Sequence, residues 1–261
     1  MKDYETYSNL KVPKNSKVIL RLDGRKFHNL SRKLNLKKPY DIYFSKSMIE
    51  VAKGIFKEFS PLFIYTFSDE INILLSEIPF SGRVEKLNSV FPSLASSSLT
   101  LHLQKNFKIK NQNTDDSGSS LLNNDYNLDF QVSFDSRIIL VAVEDIYSYF
   151  KWRQDEAWRN YVNSYGYWAL REDLSKKEAS EKMKGCKSSD IHQFLYSKKG
   201  INLSKKPNWQ KRGVGIYKKK KSVKGINPIT KKEENSYRNF LFVDKELSIF
   251  NEDFFKNIGI I

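Results

Sequence analysis

The hydrophobic and polar positions fall into blocks that read, in order, as strand, helix, hairpin, helix and strand. Val18-Ile-Leu-Arg-Leu-Asp-Gly-Arg25 is an apolar, β-branched run that ends in a carboxylate, a buried strand closing at Asp23 and followed by Gly24. Asp41 can cap a helix over 42–59 whose Phe44, Met48, Val51, Ala52, Ile55 and Phe59 share one face. Pro61 stops it, and Ile64–Leu75 reads as two strands of a hairpin with Ser68-Asp69-Glu70 at its turn. A second helix is expected over 83–104, with Leu87, Val90, Leu94 and Leu101 apolar and Pro92 kinking it or lying in its first turns. Gln131–Phe134 and Arg137–Val143 supply a further strand. The order βαββαβ predicts an α+β, mostly antiparallel sheet with helices packed on one face.

Outside that block the pattern is looser. Residues 3–12 suggest a short amphipathic helix, and Pro13–Ser16 a turn. Residues 108–129, rich in Asn, Asp, Ser and Gly, read as a long surface loop. From Asp145 onward helices dominate, with Tyr149, Phe150, Trp152, Trp158 and Trp168 expected mostly in the core. Ser175-Lys-Lys-Glu178 is a capping box, and Ser188-Ser-Asp190 a further cap. Gly213, Gly215 and Gly225-Ile-Asn-Pro228 suggest a twisted hairpin. We therefore divide the chain into a catalytic region, 1–144, and a helical region with a basic hairpin, 145–261, packed as one unit.

Charge changes the picture. The 261 residues carry 45 Lys and Arg against 30 Asp and Glu, a formal net charge of +15, which favours a polyanionic partner such as nucleic acid. Residues 197–224 hold eleven Lys or Arg and no acid. A lysine run is usually a solvated face. Here Trp209 and Tyr217 are interleaved, so Lys211, Arg212, Lys218, Lys219, Lys220 and Lys221 are candidate RNA contacts, cations for phosphates beside aromatics for bases. The single Cys186 excludes an intramolecular disulfide and a Cys-based zinc site. No apolar run follows Met1, against a signal peptide, and no stretch approaches the ~20 apolar residues of a membrane helix, so a cytoplasmic protein is expected.

The candidate chemistry lies at the two strand ends. Taken singly, Asp-Gly after a strand is a turn and Ser-Asp-Glu a solvated loop. If the strands are neighbours, Asp23 and Asp69 project from one sheet edge, an arrangement suited to a pair of hard cations such as Mg²⁺. Arg21, Arg25, Lys26 and His28 crowd the first carboxylate, and Lys37-Lys38-Pro39-Tyr40-Asp41 follows. Glycine at position 24 would let the backbone N–H groups of Gly24, Arg25, Lys26, Phe27 and His28 cradle a triphosphate.

Arg21-Leu-Asp-Gly-Arg-Lys-Phe-His28, Lys38-Pro-Tyr-Asp41, Ser68-Asp-Glu70, Phe134-Asp-Ser-Arg137 and Trp152-Arg-Gln-Asp155 stand in collinear order over roughly 5–215. In combination they resemble the tRNA-histidine guanylyltransferase family. That resemblance implies a polymerase-palm-like fold and 3′-to-5′ addition of nucleotides to RNA 5′ ends. It implies that Asp23 and Asp69 bridge two Mg²⁺ ions, with the Gly24 carbonyl a further ligand and Glu70 beside them in the catalytic set. Arg25, Lys38, Arg83 and Lys86 would surround phosphates, and Ser68 and Asp41 match nucleotide-site positions, although capping explains Asp41 equally. ATP or GTP would activate the RNA end and supply the incoming nucleotide, tRNA would be the partner, and the enzyme would be a homo-oligomer, a tetramer by resemblance. Eukaryotic members that add the histidine-identity guanosine carry His-Ile-Asn-Asn where this chain has Trp158-Arg-Asn-Tyr161. The departure favours the bacterial and archaeal branch, which repairs truncated tRNA by templated addition, over G addition at position −1. A palm-fold cyclase and a non-catalytic RNA-binding protein are the competing readings. The basic C-terminal region argues against the first, and paired carboxylates among phosphate-side cations against the second.

Overall fold

The computed structural model describes residues 1, 4–112, 130–226 and 231–261. Strand β1 (Lys17–Gly24) is followed by helices α1 (Phe27–Lys33) and α2 (Ile42–Phe59), the hairpin β2 (Phe63–Phe67) and β3 (Glu70–Leu74), helix α3 (Val84–Gln112) and strand β4 (Phe134–Val141). These elements supply the order β4-β1-β3-β2, every pairing antiparallel. Val18, Leu20 and Leu22 of β1 point to one face and are buried against α2 and α3. Each contributes roughly 1.5–3 kcal/mol by leaving water, and a one-residue slip would expose all three, so the register is strongly set. The expected face of α2 is the one that packs, and Asp41 caps it by accepting from the N–H groups of Tyr43 and Phe44 at 2.8 and 3.1 Å.

The C-terminal half does not stand apart. It runs through α4 (Ile146–Leu170), α5 (Lys176–Met183), α6 (Ser188–Lys199), α7 (Asn208–Arg212), the hairpin β5 (Val214–Ile226) and β6 (Glu233–Asp244), and α8 (Glu252–Asn257). Val214–Tyr217 of β5 pair with β2 and extend the sheet to six strands. The start of α4 and the chain end cover the second face, where Ile19, Phe63, Tyr65 and Leu74 meet Tyr149, Phe150, Phe250 and Phe255. The sheet is therefore covered on both faces, beyond the one-sided packing expected for the βαββαβ block. A third cluster joins the end of α4 to α6 through Tyr161, Tyr165, Ile191 and Leu195.

Several sequence expectations need correction. Among the described residues of this segment, Tyr4 is in a 3-10 turn and 6–9 form turns, and no α-helix is present. So short a segment is marginal as a helix in water, and only its end, Leu10–Val12, docks as extended chain, with Val84 N–H on the Leu10 carbonyl and Val12 N–H on that of Gly82, both at 2.9 Å. Pro92 lies inside α3, where Ser96 Oγ donates to its carbonyl at 2.7 Å. The buried side of α3 is Leu87, Phe91, Ala95, Leu99 and Leu103, and Leu101 is exposed. Residues 131–133 are outside β4. Trp152 and Trp158 are exposed, not core. Residues 108–112 end α3, and the remainder of the proposed loop, 113–129, lies outside the described residues, as does the turn at 227–230.

Candidate active site

β1 and β3 are direct neighbours, so the two acidic strand ends meet at one edge. Asp23 stands opposite Glu70, and the Gly24 N–H donates to the Asp69 carbonyl at 3.0 Å. Ser68 and Asp69 form the two-residue turn, Ser68 taking a left-handed conformation with φ of 50°. Glycine is required at 24 by closeness, since a Cβ there would lie 2.4 Å from the Phe27 ring and 2.9 Å from Asp69 Cβ. Burial pushes the Asp69 carboxyl above its ordinary pKa. Ser68 Oγ, 3.0 Å from Oδ1, works against the shift, and the charges of Asp23 and Glu70 add to it. Asp23 is not bare, because Arg21 Nε at 3.1 Å and Arg137 Nη1 both donate to its Oδ2. In register, Asp135 lies across from Asp23 and Arg137 across from Arg21.

Glu70 has a different setting. It is buried and accepts both arms of the Arg153 guanidinium, Nε to Oε1 at 2.8 Å and Nη2 to Oε2 at 2.5 Å. Asn72 Nδ2 also donates to Oε1 at 2.8 Å, and Tyr149 Oη donates to Asn72 Oδ1 at 2.6 Å. Burial and the Glu70 charge hold the Tyr149 phenol above its usual pKa, so it remains a donor. This network locks α4 onto β3 directly behind the Asp69 turn.

A pocket of about 580 Å³ opens on Ser68 and Asp69, a size suited to a nucleotide-sized ligand. One wall is Phe27, His28 and Lys38-Pro39-Tyr40-Asp41; the other is α4 and α7, through Asn160, Asn163, Ser164, Tyr167, Trp168, Trp209 and Gln210. Lys38 Nζ donates to Ser31 Oγ at 2.6 Å and lies 5.5 Å from the Trp168 ring centre. Burial lowers its pKa, and Asp41 acts against that shift. Tyr40 sits edge-on to Trp209 at 6.1 Å between ring centres. Burial holds its phenol protonated, and Ser164 hydrogen-bonds to it.

The structure gathers Phe27, His28, Lys38, Asp41, Ser68 and Asp69 around this pocket; Asp23 and Gly24 do not line it but adjoin its Ser68-Asp69 turn through the β1–β3 pairing. Other expected residues are placed differently. The Gly24 and Arg25 N–H groups bond to the Asp69 and Ser133 carbonyls, leaving Lys26–His28 as the part of the loop able to face a phosphate. Asp41 is occupied as a cap, its Oδ2 also taking the Lys37 N–H at 2.9 Å. Arg83 precedes α3, bridges Lys11 and pairs with Glu85 at 3.6 Å, so it does not share a helix face with Lys86, and neither lines the pocket. Lys211 and Arg212 are tied to the Ser204 and Leu247 carbonyls at 3.0 and 3.1 Å, which gives them a structural role. Lys218–Lys221 are exposed on the part of β5 that pairs only with β6. The far wall was missed in the sequence, although Asn160, Asn163, Ser164 and Tyr167 follow helical spacing as one polar stripe on an otherwise aromatic helix.

Two family models match the chain, "tRNAHis guanylyltransferase" over residues 1–142 and "Thg1 C terminal domain" over 144–251. The tRNA(His) guanylyltransferase of Schizosaccharomyces pombe is 28% identical over 219 residues, 82% of this chain and 77% of that protein. A bacterial tRNA(His) guanylyltransferase (Thg1)-like protein solved in complex with ATP has the same fold, with a TM-score of 0.73 at 23% identity over 100% of this chain and 96% of that one. The tRNA(His) guanylyltransferase of Saccharomyces cerevisiae gives a TM-score of 0.68 at 26% identity, over 82% and 90% of the two chains.

Proposed function

Because this chain belongs to the tRNAHis guanylyltransferase family of nucleotidyltransferases, we propose that it repairs tRNA 5′ ends by templated addition in the 3′-to-5′ direction. The observation that carries this reading is the 580 Å³ pocket, whose cation and aromatic rings stand beside the Asp23–Asp69 edge. Lys38 would meet a phosphate and Tyr40, Trp168 and Trp209 would flank a base. Asp23, Asp69 and the Gly24 carbonyl fit Mg²⁺. Among the described residues no cluster of three or more His, Cys, Asp or Glu makes a ready cage, and Mg²⁺ typically takes one or two carboxylates and completes its shell with phosphate oxygens and water. The upward pull on Asp69 from burial and from the Asp23 and Glu70 charges is what a cation held there would relieve. When bound, the ions would polarise the phosphate and stabilise the leaving pyrophosphate.

The reaction has two displacements. A 5′-phosphate oxygen of the RNA attacks the α-phosphorus of ATP and expels pyrophosphate. The 3′-hydroxyl of an incoming nucleotide then attacks the 5′-phosphorus of the activated end and expels AMP; a 5′-triphosphorylated RNA needs only this attack, with pyrophosphate as the leaving group. Glu70, held by Arg153, fixes the turn that carries Asp69. The exposed Lys218–Lys221 would follow the RNA backbone. A cytoplasmic homo-oligomer is the form this reading implies.

Template dependence is the test. A tRNA lacking its first nucleotide, with the opposing acceptor-stem base varied through all four, should receive whichever nucleotide pairs with that base. Addition of G whatever the template, and only to tRNA with a histidine anticodon, would instead establish the second reading, G addition at position −1. That reading is favoured by the named activity of the curated relatives.

A further inference from the structure

Two motifs remain without a role in the nucleotide pocket, Phe134-Asp-Ser-Arg137 and Trp152-Arg-Gln-Asp155. Neither Arg137 nor Trp152 lines it. Both lie on the other flank of the carboxylate edge. Strand alternation puts Asp23, Arg21, Arg137, Asp135, Glu70 and Asn72 on the sheet face toward α4. Arg137 reaches Asp23, and its side chain is 55% exposed. Tyr149 closes over Asn72, the register partner of Arg21, and Trp152 packs edge-on to Tyr149 at 5.8 Å between ring centres.

Trp152 is 52% exposed beside this edge. Its indole is not loose. The Arg153 guanidinium lies 4.5 Å from the ring centre, and that guanidinium is itself clamped by the buried Glu70. An aromatic ring backed by a fixed cation, with half its surface in water, is a preorganised stacking platform, because little side-chain freedom is left to lose when a base settles on it.

We propose that Trp152 and Arg137 form the subsite for the 5′-terminal nucleotide of the RNA, the indole stacking on its base and the guanidinium meeting its phosphate. The proposal rests on the reading above, which places the nucleoside triphosphate on the Asp69 side. The two reactants would then approach the Asp23–Asp69 edge from opposite flanks, which leaves room for the attacking oxygen to lie opposite the leaving group at the reacting phosphorus. Asp23 and Asp135 offset the charge of Arg21 and Arg137, so stacking supplies the larger part of the hold.

The test uses the full-length protein and a 5′-truncated tRNA carrying 2-aminopurine as its 5′-terminal base. Binding to the wild type should quench the 2-aminopurine emission. Trp152→Leu should abolish the quench and raise KM for the RNA about tenfold, leaving KM for ATP within about twofold. Trp152→Tyr should restore both. Arg137→Gln should raise KM for the RNA and keep the quench. A retained quench in folded, active Trp152→Leu would overturn the proposal, as would a rise in KM for ATP in place of RNA. If Trp152→Leu does not fold, Trp152→Tyr and Arg137→Gln decide: failure of both to behave as stated overturns it. Absence of any nucleotide addition by the wild type would refute the proposed function and leave the quench to report on the subsite alone.

Discussion

Replacing Arg153 with Met removes one half of a pair whose side chains are 8% and 9% exposed. Glu70 would keep only the Asn72 amide, a single neutral donor for a buried charge. Breaking a buried ion pair from one side costs about 3–5 kcal/mol, because the remaining charge has lost its compensation. Against a total stability on the order of 5–15 kcal/mol, that is a large share. At about 2–4 °C per kcal/mol for a chain of this size, the unfolding midpoint should fall by roughly 6–20 °C. Thermal and urea unfolding of the two proteins measure it. The double variant Arg153→Met with Glu70→Leu should recover most of the loss, since no unpaired charge remains. Glu70→Gln should likewise lower stability while leaving the Mg²⁺ concentration for half-maximal activity within about twofold. Unchanged stability together with a tenfold shift in that Mg²⁺ requirement would refute the reasoning and make Glu70 a metal ligand.

Three further outcomes follow from the carboxylate edge and the basic hairpin. Burial holds the Asp69 carboxyl above its ordinary pKa in the folded state, so its contribution to stability is present below that ordinary value and lost as pH rises through the folded-state pKa; Asp69→Asn should therefore raise the unfolding midpoint at pH 7 in EDTA, by a margin that closes as pH falls toward the ordinary carboxylate range, while nucleotide addition falls at least about 100-fold. Gly24→Ala should leave the protein folded but displace the Phe27 ring and Asp69, lowering kcat by about 100-fold; near wild-type turnover would show that the close approach at Gly24 is incidental. Changing Lys218, Lys219, Lys220 and Lys221 to Gln should reduce the log–log salt slope of tRNA binding by about three units if each meets one phosphate, and an unchanged slope would return the run to a solvated face.

The βαββαβ block was legible because its signals are local. Alternation in β1, the Asp41 cap and apolar face of α2, and the turn residues of the β2–β3 hairpin each act within a few residues. The strand-end carboxylates were legible for the same reason. What could not be read is the product of long-range pairing. Nothing in residues 214–217 announces that they extend the sheet beyond β2, and the cover on the second face comes from α4 and from a chain end more than a hundred residues distant. Glu70 illustrates the difference. Its neighbour Asp69 suggested shared chemistry, but a partner 83 positions away gives it a buried ion pair. Arg83, Lys211 and Arg212 were placed by family resemblance or by the basic run, neither of which distinguishes a free charge from one already bonded, Arg83 to the Glu85 carboxylate and Lys211 and Arg212 to the Ser204 and Leu247 carbonyls.

The same long-range pairing decides whether residues 1–144 can stand alone, although they contain every strand of the βαββαβ block and both candidate metal carboxylates. Without the rest of the chain, β2 loses its pairing with Val214–Tyr217 and becomes an open edge. Ile19, Phe63, Tyr65 and Leu74, each fully buried, lose the aromatic cover of Tyr149, Phe150, Phe250 and Phe255. At about 1.5–3 kcal/mol per exposed side chain, those four alone remove roughly 6–12 kcal/mol, comparable to the whole stability of a domain. Glu70 loses Arg153 as well, and the nucleotide pocket loses the wall built by Asn160, Asn163 and Trp209. A 1–144 fragment should therefore aggregate or remain unfolded and bind no ATP, and co-expression with 145–261 should restore a soluble complex that does. Size-exclusion chromatography, far-UV circular dichroism and ATP titration follow the outcome. A monomeric, folded 1–144 fragment with wild-type ATP affinity would mean that the second face and the α4 wall are accessories, and that the catalytic edge is held by β1, β3 and β4 alone.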